Sequence, residues 1–350
     1  MKRYLVLENG TVWEGEAFGA EGDVIAEVVF TTDSEYMTNF SDGCYSGQAV
    51  VQTFPLLGDY GAISEDMEGR KAAPAAYIVR EWTARPSNFR SGGDIDSFMK
   101  KQGIAGLSGI DTRALCRMLR GEGEMNGMIC SDPASADMAE IKAYRVRTAL
   151  CEGKAEILNG EGRGPTVAAP DLGGDTGEMK ALTEKGCRVI RLPGTAAAEE
   201  IKQLKPDGLL LGGGPGNAAD CSAAIKTAAE LMNEGLPMLG IGLGHQIMAL
   251  AAGFECKKMK SGHRGCNQPV RDEETGLIYI CRQNHGYEVT ADSISGDKAK
   301  IWFGDINSGG LEGLKYLAFP AVSVQFSPDC GDAPRSTGYV YDAFISLMTR

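Results

Sequence analysis

Residues 237–250 constrain the fold of this chain more tightly than any other segment. An apolar run there ends in the closely spaced glycines Gly240, Gly242 and Gly244, and a second apolar segment, 245–250, follows directly. This order predicts a buried strand, a sharp turn centred on Gly242, and a helix. Such a turn holds its central residue in a strained conformation with positive φ, which glycine adopts freely. In α/β enzymes a turn of this kind can expose a nucleophile, but glycine supplies none.

The second half of the chain alternates between predicted strands and helices. The strands are residues 187–192, 208–211 and 238–241, and helices such as 218–233 lie between them. This alternation is typical of a parallel sheet that is covered by helices on both faces. We therefore predict a doubly wound α/β domain in this half.

The first half of the chain has a different pattern. Short alternating segments such as 3–7 and 25–31 are separated by glycine-rich turns, and one clear helix is predicted at residues 112–120. Asp111 is placed to cap that helix at its N-terminus. The pattern predicts a β-rich α+β domain.

A charged stretch with several glycines, residues 152–165, lies between the two halves and is typical of a linker. The predicted organisation is therefore a β-rich domain at residues 1–150, a linker at 151–165 and the α/β domain at 166–350.

The composition indicates an ordinary soluble globular protein, because 43% of the 350 residues are hydrophobic and 23% are charged. The formal net charge of −12 disfavours nucleic acid or an anionic membrane as the main partner. The apolar run at residues 4–7 is too short for a secretory signal, and no stretch approaches the roughly 20 apolar residues that span a bilayer. The ten cysteines include no C-x-x-C pair, so we expect them to be reduced in a cytoplasm.

The sequence predicts neither a metal site nor a nucleotide site in this chain. His263 and its two flanking cysteines fit no usual zinc spacing. The glycines at 240–244 fail the dinucleotide fingerprint, because His245 stands where its third glycine would be. The glycine-rich run 211–216 lacks the G-K-[ST] ending of a phosphate-binding loop.

The segment around Gly242 strongly resembles the active-site elbow of class I glutamine amidotransferases, in which this position is the nucleophilic cysteine. Residues 323–329 resemble a second motif of that family. Ser327 stands where the family has its general-base histidine, and Asp329 where it has the glutamate that orients the histidine. Loss of a nucleophile and its base together costs on the order of 10⁶ in rate. The resemblance therefore implies a flavodoxin-like amidotransferase domain without ordinary glutaminase activity.

The N-terminal half resembles the small subunit of carbamoyl phosphate synthetase at residues 5–12, 47–48, 53–61 and 108–115. With the elbow included, the resemblance covers essentially the whole chain. In that family the small subunit hydrolyses glutamine and passes ammonia to a large ATP-using subunit, which makes carbamoyl phosphate for pyrimidine and arginine synthesis. The resemblance implies a cytoplasmic complex in which the large subunit is the partner. It also implies that ATP and Mg²⁺ belong to that subunit and that this chain binds no cofactor.

The resemblance also implies a glutamine pocket. Residues 211–216 match the loop whose backbone N–H groups stabilise the developing oxyanion, and residues 283–287 match the family without change. Two positions depart from the family, because Cys44 replaces a usual serine and Asp175 replaces an expected lysine. The glutamine-binding positions implied are Cys44, Gly214, Gly216, Leu243, Gln246, Asn284, Gly286 and Tyr287.

Three functions stay open from the sequence. The chain could be a structural or regulatory subunit of a complex that uses free ammonia. It could be a glutaminase with a displaced nucleophile, such as Cys44 or Cys330. It could also be a stand-alone pseudoenzyme that senses glutamine through Gln246 and residues 284–287. The first is favoured, because the pocket and the N-terminal motifs are retained while the triad positions have changed.

Overall fold

The computed structural model describes residues 1–67, 71–148, 150–158, 163–174, 176–328 and 336–349. Asp175, Asp329 and Cys330 therefore lie outside the described residues. The chain divides into two units. Unit 1 comprises Met1–Arg147 and Lys260–Gly265, and unit 2 comprises Thr148–Met259 and Cys266–Arg350.

Unit 1 is built on a closed barrel of seven strands in the order β1-β2-β8-β6-β4-β3-β9. Three pairs in the barrel are parallel, namely β3–β4, β4–β6 and β6–β8, and the other pairs are antiparallel. Strands β5 and β7 form a separate two-stranded sheet. The elements are β1 Lys2–Leu7, β2 Val12–Gly19, β3 Val24–Thr31, α1 Tyr36–Ser41, β4 Gln48–Gln52, β5 Leu56–Leu57, β6 Ala76–Ile78, β7 Glu81–Trp82, α2 Ile95–Gln102, β8 Ala105–Ser108, α3 Thr112–Glu122, β9 Met125–Cys130 and α4 Met138–Ala143.

Successive residues of the barrel strands enter different hydrophobic cores. Val28 packs in a cluster with α3, whereas its neighbour Val29 packs in a second cluster with α1 and α2. This division follows from the period of two along a strand. The cap predicted for α3 is confirmed, since the Asp111 carboxylate accepts a hydrogen bond from the Ala114 N–H at 2.9 Å.

A buried ion pair holds the segment Lys260–Gly265 within unit 1. The Arg264 guanidinium pairs with the Glu124 carboxylate, and their side chains are 2% and 1% exposed. The same carboxylate accepts a hydrogen bond from the Gly262 N–H at 2.9 Å. Both charges are withdrawn from water, so each relies on the other for compensation.

Unit 2 contains a sheet of ten strands in the order β10-β12-β11-β13-β14-β19-β18-β17-β15-β16. One of these strands, β10, lies inside the stretch 151–165 that the sequence predicted as a linker, and it pairs antiparallel with β12. The elements are β10 Glu156–Ile157, β11 Thr166–Asp171, α5 Gly177–Glu184, β12 Arg188–Pro193, α6 Ala198–Gln203, β13 Gly208–Leu211, α7 Ser222–Asn233, β14 Met238–Ile241, α8 Leu243–Ala251, β15 Cys256–Asp272, β16 Ile278–Val289, β17 Ala299–Asp305, β18 Leu311–Tyr316, β19 Ala321–Val324 and α9 Tyr339–Met348.

Five of these strands are parallel neighbours, in the order β12-β11-β13-β14-β19. Numbered along the chain, this is the order 2-1-3-4-5 that is typical of flavodoxin-like sheets. The predicted doubly wound class is confirmed, but antiparallel strands extend the sheet at both edges. In such sheets ligands bind at the carboxyl ends of the strands where the order reverses, here between β11 and β13.

Helices cover both faces of the sheet in unit 2. Helices α6, α7 and α8 contribute to one hydrophobic core, and α5 and α9 contribute to the other. Within β13, Leu209 and Leu211 enter the first core and Leu210 enters the second. A strand that is buried on both faces has a continuous apolar sequence, which explains why β13 could be predicted from the sequence.

The predicted elements of unit 2 match the structure closely. The strands expected at 208–211 and 238–241 are confirmed residue for residue, and the strand expected at 187–192 lies one residue further on. The helix expected at 218–233 begins with the 3₁₀ turn Ala218–Asp220 before α7. Among the helices described, none combines the length and apolar character needed to cross a bilayer.

We expect Glu124→Ala to lower the free energy of unfolding by about 3–5 kcal/mol, because it removes the main compensation for the buried charge of Arg264. Urea denaturation followed by circular dichroism measures the effect. Glu122→Ala is the matched control, since Glu122 is exposed at the end of α3 and a much smaller change is expected there. Similar losses in the two variants would contradict the role given to the ion pair.

Candidate functional site

The turn between β14 and α8 has the backbone geometry of a strained elbow. Gly242 adopts φ 57° and ψ −113°, and α8 begins at the next residue. Its N–H donates to the Val324 carbonyl at 2.9 Å, which ties the turn to β19. A non-glycine residue would be strained by roughly 1–3 kcal/mol in this region of φ and ψ. The turn predicted from the sequence is therefore confirmed, together with its positive φ.

The elbow has room for a side chain at position 242 but not at position 244. A Cβ on Gly242 would lie 3.4 Å from the Gly213 Cα and 3.9 Å from the Gln325 carbonyl oxygen, which are ordinary contacts. A Cβ on Gly244 would overlap the Leu211 carbonyl oxygen. The backbone could therefore carry a side chain at 242, at the cost of strain, but not at 244.

The glycine loop after β13 lies directly against the elbow. The Gly244 N–H donates to the Gly212 carbonyl at 3.0 Å, and a Cβ on Gly214 would lie 2.8 Å from a methyl group of Leu243. The structure thus brings together two of the predicted glutamine-binding positions, Gly214 and Leu243. Gly216 lies further along the loop with φ 91°.

Two of the triad positions follow adjacent parallel strands. Gly242 follows β14, and Ser327 follows β19 by three residues. Ser327 is half-buried, and its N–H donates to the Arg282 carbonyl at 3.0 Å. A hydroxyl at this position cannot carry a proton near neutral pH in the way that an imidazole does.

A buried amide pair connects α8 to the strands that border the elbow. The Gln246 Nε2 group donates to the Tyr287 carbonyl and to the Gln325 Oε1, each at 3.0 Å. The Gln246 Oε1 and the Gln325 Nε2 are buried and have no hydrogen-bond partner among the described residues. Gln246 and Tyr287 are thus together, and one acceptor and one donor beside them are unsatisfied.

The two other predicted pocket residues lie on β16. Asn284 and Gly286 are half-buried and flank His285 on the strand that also carries Tyr287. The roles of both residues in glutamine binding stay predictions.

His245 is unsuited to act as a base. Its ring is fully buried, and burial lowers the pKa of His245 to about 3, so the imidazole is neutral. The Nδ1 atom lies 2.7 Å from the Ser323 hydroxyl, which is also fully buried. A ring without access to solvent or to the elbow cannot shuttle a proton for a reaction there.

His285 is unsuited for a different reason. Its Nδ1 lies 2.8 Å from the Tyr287 carbonyl, and its Nε2 lies 3.1 Å from the Gln283 Oε1. The Gln283 Nε2 donates to the buried Glu312 carboxylate at 3.2 Å, which leaves the Gln283 oxygen facing the ring. Both ring nitrogens are therefore engaged by neighbouring groups of β16.

Cys44, the remaining predicted pocket residue, belongs to unit 1. It lies in the 3₁₀ turn Gly43–Tyr45, is half-buried, and its N–H donates to the Asp42 carboxylate at 2.9 Å. Its role in a glutamine pocket stays a prediction.

The sequence analysis missed Glu178, a buried carboxylate beside the glycine loop. Glu178 is 5% exposed, and its Oε1 accepts a hydrogen bond from the Gly213 N–H at 3.2 Å. One signal could have revealed it. Glu178 lies three and four residues before Ala181 and Leu182, so it falls on the apolar face of α5.

The comparisons with known proteins agree with this geometry. Residues 5–129 match the model of the carbamoyl-phosphate synthase small chain, CPSase domain, and residues 178–347 match that of glutamine amidotransferase class-I. The chain is 40% identical to the carbamoyl phosphate synthase small chain of Bacillus caldolyticus, over 99% of this chain and 97% of the relative. It is 39% identical to the small chain of Fusobacterium nucleatum, over 98% and 97% of the two chains. It is also 39% identical to the pyrimidine-specific small chain of Halalkalibacterium halodurans, over 99% and 97%.

Alanine substitutions at the elbow should separate strain from steric overlap. Gly242→Ala is expected to lower the free energy of unfolding by about 1–3 kcal/mol through strain alone. Gly244→Ala should be worse, because its Cβ meets a main-chain oxygen that cannot move without displacing β13. Denaturant unfolding measures both, with Gly121→Ala in α3 as a control where a Cβ meets nothing within 4 Å. A larger loss at 242 than at 244 would contradict the packing described.

Proposed function

The chain belongs to the carbamoyl phosphate synthase small-chain family, and on that premise we propose that it is the small subunit of such a synthase, or of a close paralogue, within a complex that takes its nitrogen from free ammonia. The proposed loss of glutaminase activity rests on one observation. The elbow keeps its strained backbone at φ 57°, but the residue there is Gly242, which has no nucleophile. Glutamine hydrolysis by this family begins with attack of a thiol from that position.

The base is missing as well as the nucleophile. Ser327 follows β19 where the family has its histidine, and neither His245 nor His285 can replace that residue for the reasons given above. Because a thiol and its base act as a unit, the loss of both removes the pathway through a covalent intermediate. What remains is the scaffold that held them.

The thiols of unit 2 support this proposal, because those nearest the core are poor nucleophiles. Burial raises the pKa of Cys187 and of Cys221, and it raises the pKa of Cys256 to about 12. A thiol with a raised pKa carries little thiolate near neutral pH. A displaced nucleophile would therefore have to be found elsewhere, for instance at Cys44.

The partner in this proposal is the large ATP-dependent subunit of the synthase, which would hold ATP and Mg²⁺. Membership of the small-chain family supports this assignment, since matches cover both parts of the chain. Two relatives are named as pyrimidine-specific, so pyrimidine synthesis is one candidate pathway and arginine synthesis is the other. A cytoplasmic heteromer completes the proposal.

Glutamine binding without turnover is a second part of the proposal. A buried polar atom without a partner costs roughly 1–3 kcal/mol, and the Gln246 Oε1 and the Gln325 Nε2 are two such atoms. Their unmet hydrogen-bonding capacity favours a retained polar site beside the elbow, which would allow the chain to sense glutamine.

Assays of carbamoyl phosphate formation with a cognate large subunit test the first part. We expect turnover with ammonium and no turnover above background with glutamine, because no thiol attacks the amide and loss of the nucleophile and base typically costs on the order of 10⁶ in rate. Gly242→Cys alone should not restore glutamine use, since Ser327 supplies no base. Comparable rates with glutamine and ammonium would refute the proposal, and Cys44→Ala would then show whether Cys44 is the displaced nucleophile.

Calorimetric titration with L-glutamine tests the second part. We expect saturable binding to the wild-type chain, and affinity reduced about tenfold or more in Gln246→Leu, which removes the acceptor. Gln203→Leu on α6 is the control, because Gln203 is exposed and remote from the elbow. Absence of heat with the folded wild-type chain would exclude a glutamine sensor.

A further inference from the structure

We propose that the buried carboxylate of Glu178 is a further determinant of chemistry at the elbow, because it sets negative charge against the glycine loop and so disfavours a thiolate or an oxyanion at position 242. The proposal rests on the assignment of Gly242 to the vacated nucleophile position. It goes further than the loss of the triad, since it concerns a side chain that remains.

The carboxylate of Glu178 contacts two consecutive glycines of the loop. The Gly213 N–H donates to Oε1 at 3.2 Å, and a Cβ on Gly212 would lie 3.3 Å from Oε2. Glu178 is the second residue of α5 and is 5% exposed. Both carboxylate oxygens therefore face the loop, at a place from which water is largely excluded.

Position 242 lies on the other side of the same loop residue. A Cβ on Gly242 would lie 3.4 Å from the Gly213 Cα. Gly213 thus contacts both the Glu178 carboxylate and the site where a thiol would stand.

Two opposing electrostatic influences meet at the elbow. The N-terminus of α8 begins at Leu243 and favours an anion at position 242. The Glu178 carboxylate opposes that effect, and charges in a buried site are screened less than charges in solvent. A nearby carboxylate raises the pKa of a thiol, by about one unit or more in a partly buried site.

Glu178 also occupies a donor. The Gly213 N–H donates to the carboxylate and is therefore engaged on the Glu178 side of the loop. Reinstating a thiol and an imidazole by Gly242→Cys and Ser327→His would leave an unfavourable charge close to the reacting atoms.

The test measures the thiol introduced by Gly242→Cys in the full chain, with and without Glu178→Gln. Glu178→Gln removes the charge while keeping an oxygen that can accept from the Gly213 N–H. The rate of alkylation by iodoacetamide is followed from neutral to alkaline pH, and peptide mass spectrometry at position 242 separates this thiol from the native cysteines. Glu184→Gln is the matched control, because Glu184 lies on the same helix and its side chain is 59% exposed.

We expect Glu178→Gln to lower the pKa of the introduced thiol by about one unit, and to raise its alkylation rate about tenfold at a pH below both pKa values. Glu184→Gln should leave the profile nearly unchanged, because an exposed charge is screened. Superimposable profiles with and without Glu178→Gln would overturn the proposal and leave Glu178 only the role of holding the loop.

A second reporter covers the possibility that Gly242→Cys does not fold. Leu243→Cys places a thiol one residue further on, in regular helical backbone, against the same loop. The same direction of change is expected there. Neither measurement uses glutamine, ammonium or a partner, so its outcome does not depend on whether the proposed function is correct.

Discussion

The site depends on close approach of main chains at the carboxyl ends of β11, β13 and β14, which only glycine permits. A Cβ on Gly174, Gly214 or Gly244 would overlap a carbonyl oxygen of a neighbouring segment. The segments are also hydrogen-bonded, since the Gly174 N–H donates to the Gly213 carbonyl at 3.0 Å. These contacts involve no catalytic side chain. The backbone of the elbow can therefore form without a thiol at position 242, because the packing that shapes it involves no catalytic side chain.

The same constraint explains why glycine is a stable occupant of the elbow. A nucleophile there must accept backbone strain of roughly 1–3 kcal/mol, which an enzyme tolerates because exposure of the thiol requires it. At φ 57° Gly242 has no such penalty. A chain without the thiol is thus relieved of strain while the hydrogen bond to Val324 and the start of α8 stay in place.

The sequence predicted those features that depend on local pattern. Continuous apolar runs identified β13 and β14 to the residue, the cap at Asp111 was visible from residue type, and the spacing of glycines located the elbow. Features that depend on distant contacts were not predicted. Antiparallel strands such as β15 and β17 extend the sheet and have mixed polarity, and their mutual pairing spans the intervening strand β16. Glu178 was missed because its partner, the Gly213 N–H, is a main-chain group that the sequence does not single out.

In the proposed function, binding and chemistry are separable because different elements supply them. The amide pair of Gln246 and Gln325 joins α8 to the end of β19 and involves no group at position 242. Catalysis requires in addition a thiolate, a base and free oxyanion donors, and each of these must lie in a favourable field. Here the thiol is absent, and the Glu178 carboxylate faces the loop that an oxyanion would use. The negative charge of Glu178 beside the Gly213 N–H therefore disfavours reaction at position 242. It leaves the polar groups that would hold a ligand in place.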